Sequence, residues 1–176
     1  MNNLPYMIKK SINTFMLKFV EWLMTESFNY VPEDIRENIS ENEDKLTAEY
    51  EFEIGNRKYG MVININKETG GGSLIFGLFD SEDVENPTGV TRTGNSHLVF
   101  SAVGNLFKSF VEKHRGDINK IEFTSSLKDR SRSKLYDKLI RHPWMRRNFL
   151  VDMRVSGDVK FYTLKLKNDN TDTLQD

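Results

Sequence analysis

The sequence predicts an α+β fold: one mixed, mainly antiparallel sheet with helices on both faces, in the order α-β-β-β-α-β-α-β-β. Three observations predict it. Apolar and polar residues alternate with period two through residues 50–65, as half-buried strands do. Apolar residues recur every three or four positions over 8–23 and again over 99–111, as helices with one face in a core do. Glycine-containing turns punctuate the strand-like runs.

Each element follows in turn. Ile8, Ile12, Phe15, Phe19 and Leu23 line one face of a helix over residues 6–28, widened by Met16, Val20 and Trp22. Pro32 closes that segment, and the acidic stretch up to Lys45 reads as a short helix or an exposed connection. Tyr50, Phe52 and Ile54 alternate with glutamates, Gly55-Asn56 makes a turn, and Tyr59, Met61, Ile63 and Ile65 resume the alternation, which predicts an antiparallel hairpin. Gly70-Gly71-Gly72 is the next turn and SLIFGLF the third strand, followed by an acidic loop over 80–88. Val99, Val103, Leu106 and Phe110 form the stripe of a second helix, ended by Gly116-Asp117. INKIEFTSS is then a strand, and 131–141 a basic helix with Leu135, Leu139 and Ile140 inside, stopped by Pro143. A closing hairpin joins 150–155 to 159–166 around Ser156-Gly157-Asp158. The expected organisation is an N-terminal helix and acidic connection over 1–46 packed on the core, a folded domain over 47–167 and a disordered tail over 168–176.

Composition narrows the function. The 176 residues suffice for one globular domain with a real core. The chain has no cysteine, which excludes disulfides, thiolate metal ligands and a cysteine nucleophile. His97, His114 and His142 stand far apart and form no zinc-binding pattern, so no metal is expected. No apolar run is long enough to span a membrane, and Glu21 and Trp22 interrupt the first helix in a way a signal peptide does not tolerate, so a soluble cytoplasmic protein is expected. The net charge of −1 conceals an asymmetry. Residues 33–53 hold nine acids against Arg36 and Lys45, whereas 128–147 hold eight bases against Asp129 and Asp137. Two solvated faces explain the split; a surface for phosphate-bearing partners does so as well.

Two segments carry candidate chemistry. Arg92-Thr93-Gly94-Asn95-Ser96 runs into the second helix, whose first N–H groups lack intrahelical partners and sit at the positive end of the helix dipole. Glycine for close approach, Asn95 and Ser96 for hydrogen bonds and Arg92 for charge suit a pyrophosphate; an ordinary N-cap at Asn95 or Ser96 suits the same residues. In DRSRSKLYDKL, Tyr136 follows the apolar Leu135, either packed at the sheet boundary or offering a phenol as proton donor. Arg130, Arg132, Lys134, Lys138 and Arg141 could track nucleic-acid phosphates with Trp144 stacking on a base, or could simply cover the outer helix face.

Taken together, these segments resemble the N-acetyltransferase (GNAT) family. RTGNSHLVFSAVGNLFKSF is similar to that family's pyrophosphate loop and helix, and Asp129 with Tyr136 seven positions on is similar to its later Asn-to-Tyr helix signature. GNSHLVFSAV with IEFTSSLKDRSRSKLYDKL also resembles a poorly characterised group of phage-encoded proteins, over residues 48–166. The resemblance implies acetyl-CoA held through Arg92, Thr93, Gly94, Asn95, Ser96 and Asp129, and Tyr136 as the proton donor to the leaving thiolate. The loop departs from the family pattern in lacking the second Gly or Ala, and Asp129 stands where Asn is usual. The expected function is acyl-CoA-dependent N-acyl transfer to an unknown acceptor. The alternatives are a non-catalytic module binding a host or virion protein, self-associating through the N-terminal helix, and nucleic-acid binding through 128–147. A phage-encoded protein would act in the host cytoplasm.

Overall fold

A computed structural model describes residues 28, 30–78 and 95–167. Except for Phe28, the helix expected over 6–28 lies outside the described residues, as do Arg92, Thr93, Gly94 and the tail. Seven strands form one sheet in the order β1-β2-β3-β4-β5-β7-β6. They are β1 (Ile35–Glu41), β2 (Lys45–Ile54), β3 (Arg57–Asn66), β4 (Gly71–Leu78), β5 (Lys120–Ser126), β6 (Phe149–Ser156) and β7 (Val159–Leu166). Only β4 and β5 run parallel; every other pairing is antiparallel. The helices are α1 (Ser96–Lys113), α2 (Arg130–Arg141) and the short α3 (Pro143–Asn148). The mixed, mainly antiparallel α+β class is therefore the one the sequence predicts.

Two local expectations are corrected. The acidic stretch is no helix or loose connection: residues 35–41 are an edge strand in full register with β2, so the sheet begins twelve positions before residue 47. Ile35 and Ile39, four apart, fit one turn of helix as well as one face of a strand, and the facing Phe52 and Ala48 decide for the strand. Pro143 ends α2 as expected, but it also opens α3 from the first helical position, where its missing N–H costs nothing.

Burial follows the alternation. Leu46, Ala48, Tyr50 and Phe52 of β2 face Ile65, Ile63, Met61 and Tyr59 across β3, and all eight are buried, as is Ile54 at the end of β2. The same face continues through Leu74 and Phe76 of β4, Ile121 and Phe123 of β5, Tyr162 of β7 and Phe149 of β6. All three described helices pack on this one face, where the sequence predicted helices on both. Phe107 of α1 and Trp144 of α3 meet Phe149, and Tyr136 of α2 meets Phe123 and Tyr162. The opposite face carries Glu49, Glu51, Glu53, Ile75, Glu122 and Thr124, exposed and without a described helix.

The chain leading to β1 is pinned under the helices. Phe28, in the left-handed backbone region at φ 50°, stacks on His142 with ring centroids 3.6 Å apart and lies against Phe100 and Trp144. A side chain at Gly104 of α1 would fall on the Phe28 ring. Tyr30 N–H donates to Ser101 Oγ at 3.1 Å, and Asn105 Nδ2 donates to the Tyr30 carbonyl at 3.3 Å.

Candidate functional site

The β4–β5 pairing is short. It comprises Gly71↔Lys120, Gly72↔Ile121 and Ser73↔Glu122, held at its base by Asn119 N–H and Lys120 N–H donating to the Gly70 carbonyl at 2.7 and 3.0 Å. Beyond Ser73 the two strands diverge, while β4 stays paired to β3 up to Leu78 and β5 to β7 up to Ser126. The backbone groups of Leu74–Leu78 that face β5 therefore have no ladder partner.

Both longer helices start at this open end. Asn95, ahead of α1, lies beside the β2–β3 turn: a Cβ on Gly55 would stand 3.1 Å from its Nδ2. That turn is level with the end of β4, since Tyr59 pairs Leu78. Asp129 N–H donates to the carbonyl of Ser126 at the end of β5, so α2 begins there too. The two N-termini differ. Asn95 makes no side-chain cap and the first turn of α1 has no acid, so among the described residues the leading N–H groups of this 18-residue helix have no capping side chain. Asp129 caps α2, accepting from Arg132 N–H at 3.1 Å, and its other oxygen lies 3.2 Å from Arg132 Nε. Of the predicted cofactor residues, then, Asn95 and Ser96 stand at a helix start that no described side chain caps, while Asp129 is engaged in capping α2.

Tyr136 fills the crotch of the gap. It is 1% exposed, packs edge-on against Phe123 and Tyr162, and its hydroxyl has a hydrogen bond with the backbone of Phe76 on the diverging part of β4. Burial pushes the phenol up to about 12, against the opposing pull of the nearby Arg132. Tyr136 therefore carries its proton at neutral pH.

Groups that sequence reasoning did not single out adjoin it. Tyr162 hydroxyl donates to Asp137 Oδ1 at 2.9 Å, and Lys160 Nζ donates to both oxygens of Asp137 at 3.0 and 2.8 Å. Ser125 Oγ lies 3.4 Å from the Tyr162 hydroxyl. Burial raises the Tyr162 phenol, and the Asp137 hydrogen bond raises Lys160. Tyr59 is 1% exposed, stacked between Phe52 and Phe76, and its hydroxyl has no hydrogen-bond partner among the described residues. A buried, unmatched phenol next to the divergent strand is a hydrogen-bonding atom left for something else to satisfy. Only the strand alternation could have hinted at these groups, by placing Tyr59, Lys160 and Tyr162 on the inner face.

The basic set divides. Lys134, Lys138 and Arg141 gather with Asp137 and His142 around a concavity of about 350 Å³, Lys138 standing 4.4 Å over the Phe100 ring. Arg130 is exposed at the start of α2, and Arg132 turns to Asp129. Trp144 is engaged with Phe107, Phe149 and Phe28, so it is not presented for stacking on a base. A concavity of about 390 Å³ lies at the β1–β3 corner, bordered by Ile35, Phe52 and Tyr59 as well as by the charged Asp34, Arg36, Glu51, Glu53 and Lys58. Among the described residues no group of His, Asp and Glu could hold a metal ion, and no helix is long and apolar enough to cross a membrane.

The sequence matches no protein-family model and no curated protein. Among solved structures it is similar to a mutant of the spermidine N-acetyltransferase SpeG from Vibrio cholerae, at 9% identity and a TM-score of 0.39 over 68% of this chain. The chain spans 65% of that protein's length, a little under two thirds.

Proposed function

We propose that the chain is a GNAT-related protein that takes an acyl-coenzyme A as donor and an amine as acceptor. One observation carries this reading: the start of α1, which no described side chain caps, and the gap between β4 and β5 open at the same end of the sheet. The residues fit such a cofactor. The leading N–H groups of α1, with Asn95, Ser96 and the preceding Arg92, Thr93 and Gly94, would hold its pyrophosphate. The unpaired backbone of β4 beyond Ser73 would take up its amide-bearing arm as a strand edge takes up a peptide. Coenzyme A, when bound, supplies an activated acyl thioester. Tyr136 holds a proton on its hydroxyl and can deliver it into the gap, and the Phe76 backbone hydrogen bond stabilises the phenolate left behind. The unmatched Tyr59 hydroxyl offers a further donor at the same end.

The test is calorimetric titration and thermal unfolding with acetyl-CoA. Occupancy at a hundredfold excess over Kd stabilises the fold by about 2.7 kcal/mol, and no shift at millimolar coenzyme overturns the reading. Tyr136→Phe should keep binding and lose turnover by roughly 10²-fold or more, the scale of a general-acid contribution.

A second reading has one observation in its favour. Among the described residues the inner face of β3, β4 and β5 carries no carboxylate and no histidine to act as a base. A phage-encoded module that keeps the fold in order to bind a host or virion protein in the host cytoplasm would need none. Coenzyme binding without turnover on any of a panel of amines would favour that reading over catalysis.

A further inference from the structure

Among the described residues the two edges of the sheet, β1 and β6, have no strand paired on their outer side, and they treat that exposure differently. β1 presents Arg36, Glu37, Asn38, Ser40 and Glu41 exposed, with Ile35 and Ile39 half-buried. β6 is exposed at every position from Asp152 to Ser156. It bears three of the six large apolar residues that the described chain leaves in solvent: Leu150 at 61%, Met153 at 46% and Val155 at 53% exposure. Its two charged residues make no ion pair among the described residues. Arg154 lies 5.1 Å over the Phe161 ring, and Asp152 faces Thr163 across the ladder.

We propose that β6 pairs antiparallel with β6 of a second copy of this chain, about a two-fold axis through Met153, joining two seven-stranded sheets into one. The register follows from the strand itself. A two-fold makes every contact reciprocal, and side chains keep to their own face only when facing positions share parity. Centring on Asp152 sets Asp against Asp, and centring on Arg154 sets Arg against Arg. Centring on Met153 sets Asp152 against the partner's Arg154 twice, Val151 against the partner's Val155 twice and Met153 against its own copy. Six apolar side chains then continue the helix-side face of the sheet across the junction, and two ion pairs lie on the other face. Shifts beyond these leave fewer residues paired. β1 has no such register: centred on Asn38, it would set Ile39 against Glu37 and Ile35 against Glu41. The pairing does not depend on the acyl-transfer reading.

The cysteine-free sequence gives a clean test. Residues directly opposite in antiparallel strands have Cα atoms roughly 4.5–5.5 Å apart, within disulfide reach. The full chain should sediment as a dimer, and Met153→Cys should cross-link to a covalent dimer under mild oxidation. Val155→Cys should not, because its own copy stands four positions away along the strand. Asp152→Arg should weaken the dimer by about tenfold or more, since two attractive cross-strand pairs become repulsive. Asp152→Arg combined with Arg154→Asp should restore it. A monomer at every concentration, a dimer indifferent to Asp152→Arg, or Val155→Cys linking as readily as Met153→Cys would overturn the proposal.

Discussion

Tyr136 shows how much depends on one side chain's depth. Its place beside Leu135 on a basic helix made it legible as a tyrosine at the sheet boundary. That it reaches the divergent part of β4 and meets Phe76 was not legible, because nothing in the local pattern of α2 says where β4 and β5 part. Gly104 is a converse case. Within α1 it interrupts an otherwise favourable helical run and looks replaceable, yet the Phe28 ring occupies the space of a side chain there. Gly104→Ala should destabilise the protein by about 1 kcal/mol: overpacking costs roughly 1–3 kcal/mol and the better helix propensity returns up to about 1. Urea unfolding checks this. The loss should disappear in a Phe28→Leu background, which vacates the space; an equal loss there would show that the ring is not the obstacle.

At the scale of elements, periodicity located the faces and left the termini ambiguous. The two long helices begin at the same end of the sheet, but among the described residues only α2 has a side-chain cap. Asp129→Ala should cost about 1 kcal/mol of stability, the usual value of an N-cap, measured by denaturant midpoint at constant slope. It should leave coenzyme affinity unchanged if Asp129 serves α2 alone, which separates capping from the cofactor contact that the family resemblance implies. At the start of α1 no described side chain caps the helix, and Asn95 makes no cap of its own. The strand over 35–41 escaped sequence reasoning for a physical reason. Two isoleucines four apart amid charges fit helix and strand equally, and only pairing with β2 selects between them. The basic helix was visible as a charge run. Its division into Arg132 held by Asp129, and Lys134, Lys138 and Arg141 around one concavity, depends on packing.

For the whole molecule, the buried phenols predict an alkaline limit. Tyr136 is raised in the folded state from 10.0 to about 12, so its contribution is complete below pH 10. Above that the unfolded chain ionises first and stability falls until the folded phenol also titrates. The raised Tyr162 and Lys160 act in the same direction. Chemical denaturation should show stability falling between pH about 10 and about 12, by roughly 2–3 kcal/mol for Tyr136 alone, and Tyr136→Phe should flatten that part of the curve. A profile unchanged by the substitution would place the alkaline sensitivity elsewhere. By itself the sequence determined the α+β class, the inner faces of β2, β3 and β5, the apolar stripes of α1 and α2 and the absence of thiol chemistry, since these are written in short-range periodicity and composition. Only the tertiary structure decided that β4 and β5 part after three pairs, that Tyr136 fills the gap, that Asp129 is spent on a cap and that β6 is left as an apolar, self-complementary edge. Each of those depends on which distant strands meet and where their backbones separate, and no local pattern of residues encodes that.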